Sequence, residues 1–244
     1  MSGAVVLIHG IRGASTIWRQ QLAALERAGI PALAPDLPGH GSRRGTDFTV
    51  EAAMEVIDRA AGELADRGPV LVAGISLGGY LVLHWAARPT SRPAGVLAAS
   101  CCTQPRGVGL AVYRRVAQAV ARLPDGGAHL SDTLSRRFLP DQGYTDLVAG
   151  GVAVEVMVPG LTAMAGVDTE QDIRAIEAPV WFVNGRLDHF RIHERRFVRA
   201  ASDGRLVLIP GATHLVSLTH PVAFNRVLLE FAGDLARRDT TRAR

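Results

Sequence analysis

Six short apolar runs punctuate the chain, at residues 4–8, 31–34, 70–73, 95–99, 180–184 and 205–209, and each has the length of a buried strand. Between them, residues 16–28, 50–67, 77–87, 192–201 and 221–237 carry apolar side chains at helical spacing. Strands that alternate with helices in this way predict an α/β fold, a mostly parallel sheet of about six strands covered by helices on both faces. In the first helical stretch Trp18, Leu22 and Leu25 share one face and read as core.

The alternation breaks over residues 103–166, where no parallel strand is apparent and helical pieces follow one another. Residues 109–123 are amphipathic, with Leu110, Val116, Val120 and Leu123 on one side and Arg114, Arg115 and Arg122 elsewhere. Ser131 reads as the N-cap of a helix over 132–139. Residues 146–158 are nearly all apolar until Pro159-Gly160 ends the run. The expected organisation is therefore a core of 1–102 and 167–244 with 103–166 inserted as a helical cap over the open end of the sheet. Met157, Leu161 and Met164 either line a substrate pocket beneath that cap or pack it onto the core.

Composition narrows the class. A chain of 244 residues, 48% of them hydrophobic, can bury one sizeable core, and a single core domain is the simplest expectation. The 27 basic residues exceed the 23 acidic ones by four, all 27 are arginine, and there is no lysine. Lysine Schiff-base chemistry is thereby excluded. The positive excess is dispersed except for Arg237, Arg238, Arg242 and Arg244, which read as a frayed basic tail, so no nucleic-acid partner is expected. Cys101 and Cys102 are adjacent, cannot form an ordinary disulfide, and read as reduced residues at a strand end. No signal-like or membrane-spanning run is evident, and the expectation is a cytoplasmic enzyme without metal or cofactor, monomeric or homodimeric.

The chemistry concentrates first at Gly74-Ile75-Ser76-Leu77-Gly78-Gly79, a serine between glycines at the junction of a strand and a helix. A side chain at the tip of so sharp a turn is forced out into a cleft, and flanking side chains would collide, which is why glycines surround it. His9-Gly10, Asp36-Leu37-Pro38-Gly39-His40-Gly41-Ser42, Gly185-Arg186-Leu187-Asp188 and Gly211-Ala212-Thr213-His214 accompany this segment. In that order the motifs resemble those of the α/β-hydrolase superfamily, and the chain is similar to a small, capped member of it from about Val5 to Phe231, the cap excepted.

The resemblance implies a Ser-acid-His order, hence Ser76 as nucleophile, Asp188 as acid and His214 as base. A serine hydroxyl is a poor nucleophile until an imidazole takes its proton, and the imidazole needs a carboxylate to fix its tautomer. Asp188 and His214 each follow a predicted strand, whereas Asp168 and Asp172 precede one and His220 directly precedes a helix-starting proline. The same resemblance implies oxyanion donors at the N–H of Leu77 and, within one residue, of Ile11, with His9 bracing the loop and the Asp36 turn structural. Arg12 adjoins that loop, either reaching an anionic substrate group or solvated. Members of the family usually carry two antiparallel strands before the His-Gly strand; their loss would leave a sheet edge away from the triad. The expected activity is hydrolysis of an ester, thioester or lactone with an apolar acyl group through an acyl-Ser76 intermediate. Carbon–carbon bond hydrolases, acyltransferases, lyases and haloperoxidases with the same triad are alternatives, as is a non-catalytic ligand receptor. Serine at 76 argues against the dehalogenase and epoxide-hydrolase chemistries that use aspartate there.

Overall fold

The computed structural model describes residues 3–242. In chain order its elements are β1 (Ala4–Ile8), α1 (Arg19–Arg27), β2 (Ala32–Leu33), α2 (Val50–Leu64), β3 (Val70–Ile75), α3 (Leu77–Ala86) and β4 (Gly95–Ala99). Four helices follow without a strand between them, α4 (Gly107–Ala121), α5 (Ala128–Phe138), α6 (Asp141–Ala149) and α7 (Met157–Ala163). The chain ends with α8 (Thr169–Ala175), β5 (Val180–Gly185), α9 (Glu194–Ala200), β6 (Gly204–Ile209), α10 (Val216–Thr219) and α11 (Pro221–Arg242). All six strands pair in parallel in the order β2-β1-β3-β4-β5-β6.

Strand periodicity divides the core in two. Val6, Ile8, Val72, Val96, Ala98 and Phe182 point to the face covered by α2, α3, α8 and α9. Val5, Leu7, Leu71, Leu97, Trp181 and Val183 point the opposite way, beneath α1, α10 and α11. Because both faces are covered, strands β1, β3, β4 and β5 are buried from end to end, which is why they read as continuous apolar runs. Trp18 and Leu25 are buried as expected, while Leu22 packs at the margin. On the α11 side, the Phe231 ring stacks on Trp181 at 4.3 Å between centroids.

The turns at the carboxyl end of β1 and β2 are pegged together by two histidines. His9 Nε2 accepts the Leu37 N–H at 3.0 Å, so its proton sits on Nδ1, which donates to the Gly10 carbonyl. His40 Nε2 accepts the Arg12 N–H at 3.3 Å, and its Nδ1 donates to the Pro38 carbonyl. Both rings are therefore neutral. Burial, reinforced by the neighbouring His40, lowers His9 from the ordinary 6.5 to about 3, and burial lowers His40 as well. Asp36 accepts from the Ser15 and Ser42 N–H groups; burial pushes its carboxyl up, but these bonds outweigh it and hold the carboxyl below its usual value. Gly41, at φ 49°, could not carry a side chain without overlapping that carboxylate. The Asp36–Ser42 motif is thus a structural turn.

Several local expectations are corrected. Ser131 does not cap a helix: α5 begins at Ala128, and Ser131 lies buried within it. Pro159-Gly160 does not end a helix but sits in the first turns of α7, where a missing proline N–H costs nothing. The apolar run before it is instead split into α6 and a separate 3-10 turn at Val154–Val156. The 31–34 strand shrinks to the two residues of β2, and this edge strand is too short to offer a long ladder for pairing. Arg237 and Arg238 belong to α11 rather than to a frayed tail, with Arg238 paired to Asp203 and Asp234; Arg244 lies outside the described residues, as does the Arg242 side chain. Asp168 caps α8, a helix not anticipated. Among the described residues no single helix is long and apolar enough to cross a membrane, and the apolar pair over 141–166 is bent by 76°.

Two outcomes follow for stability. Truncating the stacked, buried ring in Phe231→Ala should lower the unfolding free energy by about 3–5 kcal/mol in urea denaturation. A change below about 1 kcal/mol would mean that α11 is not part of the cooperative core. The neutral histidines set a pH window. Below the unfolded value of about 6.5 the unfolded chain binds protons that folded His9 refuses until about pH 3, so stability falls as the pH drops through that range. At pH 5 His9 alone should cost about 2 kcal/mol. A denaturation midpoint constant from pH 7 to 4 would overturn this account.

Candidate active site

Ser76 stands between β3 and α3 with φ 55° and ψ −118°, a backbone region that residues with a side chain seldom occupy. Two hydrogen bonds hold it there. Its N–H donates to the Ala99 carbonyl at 2.8 Å and its own carbonyl accepts from the Tyr80 N–H at 3.1 Å, while the glycines allow the helix to start at once. A Cβ at Gly74 would overlap the Gly78 carbonyl, and one at Gly78 would overlap the carbonyl of Ile8. The elbow thus packs directly against β1 as well as β4, its two sheet neighbours.

His214 Nε2 lies 3.0 Å from Ser76 Oγ, and His214 Nδ1 lies 3.0 Å from Asp188 Oδ1. Asp188 follows β5 and His214 follows β6, both at strand carboxyl ends. The Asp188 side chain is fully buried, and its Oδ1 also accepts the Phe190 N–H at 2.9 Å. Burial alone would raise this carboxyl. The hydrogen bond and charge of His214, the Phe190 N–H and the hydroxyl of Ser100 outweigh that and hold it below the usual carboxylate value. The carboxylate is consequently ionised at neutral pH, as a partner for an imidazolium must be. Phe190 lies over the His214 ring at 4.9 Å between centroids and meets Tyr113 of α4 at 5.8 Å. Burial pushes the Cys102 thiol up to about 12 and Cys101 well above its ordinary value, so neither competes as a nucleophile.

Two cavities meet at Ser76. One, of about 300 Å³, is walled by Ile11, Leu77, Leu110, Leu161, Met164 and Phe190, and is overwhelmingly apolar. The other, of about 100 Å³, lies between Ser76, His214, Arg12, Ser131 and Ser135. Leu77 is the first residue of α3, so its N–H has no acceptor within the helix, and Ile11 faces it across the site from the loop after β1. Of the residues singled out in the sequence, Ser76, Asp188, His214, Leu77, Ile11, Arg12, Leu161 and Met164 all gather here. Met157 does not. It faces a cavity of about 270 Å³ between α4, α5 and the 3-10 turn before α7, which does not reach Ser76 but shares Arg12, Tyr113 and Ser131 with the smaller cavity that does.

Other wall residues gave no sequence signal. Tyr113 was one uncharged position in an amphipathic helix, and Ser131 had been assigned to a helix end. Phe190 could have been found from its place two residues beyond the acid, and Ser100 only from its fit beneath Asp188. Asp188, His189 and His214 could together offer three ligand atoms to a metal ion, although Asp188 and His214 already serve each other.

The geometry has clear relatives. The alpha/beta hydrolase family model matches residues 5–227. Lipase LipV of Mycobacterium tuberculosis is 38% identical over 95 residues, 38% of this chain and 35% of that protein. The chain spans between 12% and 35% of the length of the curated relatives it matches. Among solved structures, the thermophilic esterase of Thermogutta terrifontis superimposes with a TM-score of 0.76 at 21% identity, covering 96% of this chain and 92% of its own. A carboxylesterase of the thaumarchaeon Nitrososphaera gargenis gives 0.79 at 20% identity, with 97% and 92% covered. With the family model spanning nearly the whole chain, this protein belongs to the alpha/beta hydrolase family.

Proposed function

We propose that the protein is a serine hydrolase that cleaves a carboxylic ester, thioester or lactone through an acyl-Ser76 intermediate. The observation that carries this reading is the Ser76–His214–Asp188 chain of contacts, each 3.0 Å long, opening onto an apolar cavity. The esterases and lipase to which the chain is similar support the same class of reaction.

In the forward step His214 Nε2 removes the Ser76 hydroxyl proton as Oγ attacks the substrate carbonyl. Asp188, ionised and hydrogen-bonded at Nδ1, stabilises the imidazolium that results. The tetrahedral oxyanion is received by the N–H groups of Leu77 and Ile11, and each such donor contributes about 3 kcal/mol to the transition state. The imidazolium then gives its proton to the leaving group, the carbonyl re-forms, and Ser76 is left acylated. Water enters, His214 accepts a proton from it, and the sequence runs again to release the acid. The segment 103–166 serves as a cap in this scheme, with Leu110 of α4, Leu161 of α7 and Met164 just beyond it closing the acyl cavity over Ser76. A volume of about 300 Å³ stands at the small end for ligand pockets and suits an acyl group of modest length.

A fluorophosphonate probe should add once to the wild-type protein, as read by intact mass. Ser76→Ala should abolish both the adduct and the turnover of short-chain aryl esters, and His214→Ala should lower kcat by about 10⁴-fold or more. Labelling that persists in Ser76→Ala, or a wild-type protein that neither labels nor hydrolyses any ester, would overturn the reading.

A further inference from the structure

Arg12 is a cation without a counter-ion. Among the described residues no carboxylate lies within ion-pairing distance of it. Its Nη1 donates to Ser131 Oγ at 3.2 Å, a neutral partner, and its Nε is buried with no acceptor at all. A guanidinium carries five N–H donors in a planar fork, and leaving a buried donor unpaired is costly. The backbone adds to that cost. Arg12 sits at φ 67°, where glycine would rest without strain, and is clamped there by its N–H on His40 and by its carbonyl, which accepts the Ala153 N–H at 3.0 Å.

The side chain forms one wall of the cavity of about 100 Å³ that also contains Ser76 and His214, and with Tyr113 and Ser131 it also borders the apolar cavity of about 270 Å³ on its other side. The smaller cavity is the one from which His214 can reach the departing atom to protonate it, whereas Leu161 and Met164 close the apolar cavity over Ser76. Its volume leaves room for a short leaving group beside Arg12, between Ser131 and Ser135 on one side and Leu147 and Leu218 on the other.

We propose that Arg12, steadied by Ser131, is an anion subsite for the leaving group, and that the preferred substrate is an apolar acyl ester of a short hydroxycarboxylate. The planar fork of the partly buried Arg12 pairs with a carboxylate through two parallel N–H···O bonds. Hydrolysis then yields an apolar acid from one cavity and a hydroxycarboxylate anion from the other; water supplies the hydroxyl of the acid and the proton of the alcohol. This inference rests on Ser76 being the nucleophile.

The test is a matched pair of esters, butyryloxyacetate and butyryloxyacetamide, which are close in size, contain one ester bond each and differ in charge. Wild-type kcat/KM should be at least about tenfold higher for the anion, the scale of one charge-assisted hydrogen bond. Arg12→Gln should lose about 10- to 100-fold in kcat/KM on the anion, through kcat as well as KM, while slowing neither the neutral ester nor fluorophosphonate labelling by more than about threefold. Arg12→Gly, whose backbone suits φ 67°, gives a second variant that removes the fork without straining the turn, and should behave as Arg12→Gln does. Equal wild-type rates on the two esters, or an anion preference that survives in both variants, would overturn the subsite and leave the hydrolase reading standing. A wild-type protein that labels with no probe and cleaves neither ester would overturn both.

Discussion

Keeping Ser76 at φ 55° costs about 1–3 kcal/mol, and the rest of the site depends on that strain being held. A serine free to relax would turn its hydroxyl away from His214. What prevents relaxation is the position of β3 inside the sheet, with β1 on one side and β4 on the other. Ala99 of β4 fixes the Ser76 N–H, and Ile8 of β1 approaches so closely that only glycine fits at position 78. The nucleophile is thus placed by long-range strand pairing rather than by its own turn.

The same device recurs around the site. Among the described residues three other than glycine have positive φ, Arg12 at 67°, Ser76 at 55° and Ser100 at 53°, and they follow β1, β3 and β4 respectively. Two of them present a side chain to the site, Ser76 toward His214 and Arg12 into the smaller cavity. Strain of this kind persists only where the surroundings over-determine it. For Arg12 those surroundings are the neutral rings of His40 and His9, which tie the loop after β1 to the turn after β2. Their neutrality matters, because a protonated His40 could no longer accept the Arg12 N–H.

Much of the frame was legible in the sequence, for a physical reason. Strands buried on both faces must be apolar throughout, so β1, β3, β4 and β5 declare themselves as runs, and the sharp turn at Ser76 requires glycines that cannot be disguised. Asp188 is legible because it follows such a run, β5, whereas His214 follows the partly buried edge strand β6 and is marked by its Gly-Ala-Thr-His segment. The helices over 107–163 were harder. Half-exposed helices have weak periodicity, and their ends depend on contacts with distant chain: Ser131 resembles a cap locally yet is buried against Arg12, 119 positions earlier. Met157 lies one cavity away from Ser76 for the same reason, since it faces α4 and α5 across Arg12 and Ser131 rather than the nucleophile.

Arg12 and His214 share the wall of one small cavity, and this couples recognition to chemistry. The transition state places a positive charge on the His214 imidazole, and an uncompensated guanidinium in the same low-dielectric space opposes that charge. A carboxylate seated on Arg12 cancels the opposition before Ser76 attacks. On this argument an anionic leaving group does more than bind, since it removes a repulsion that a neutral ester leaves in place. Part of the binding energy would then be realised only as the imidazolium forms, which is where it raises kcat rather than merely lowering KM.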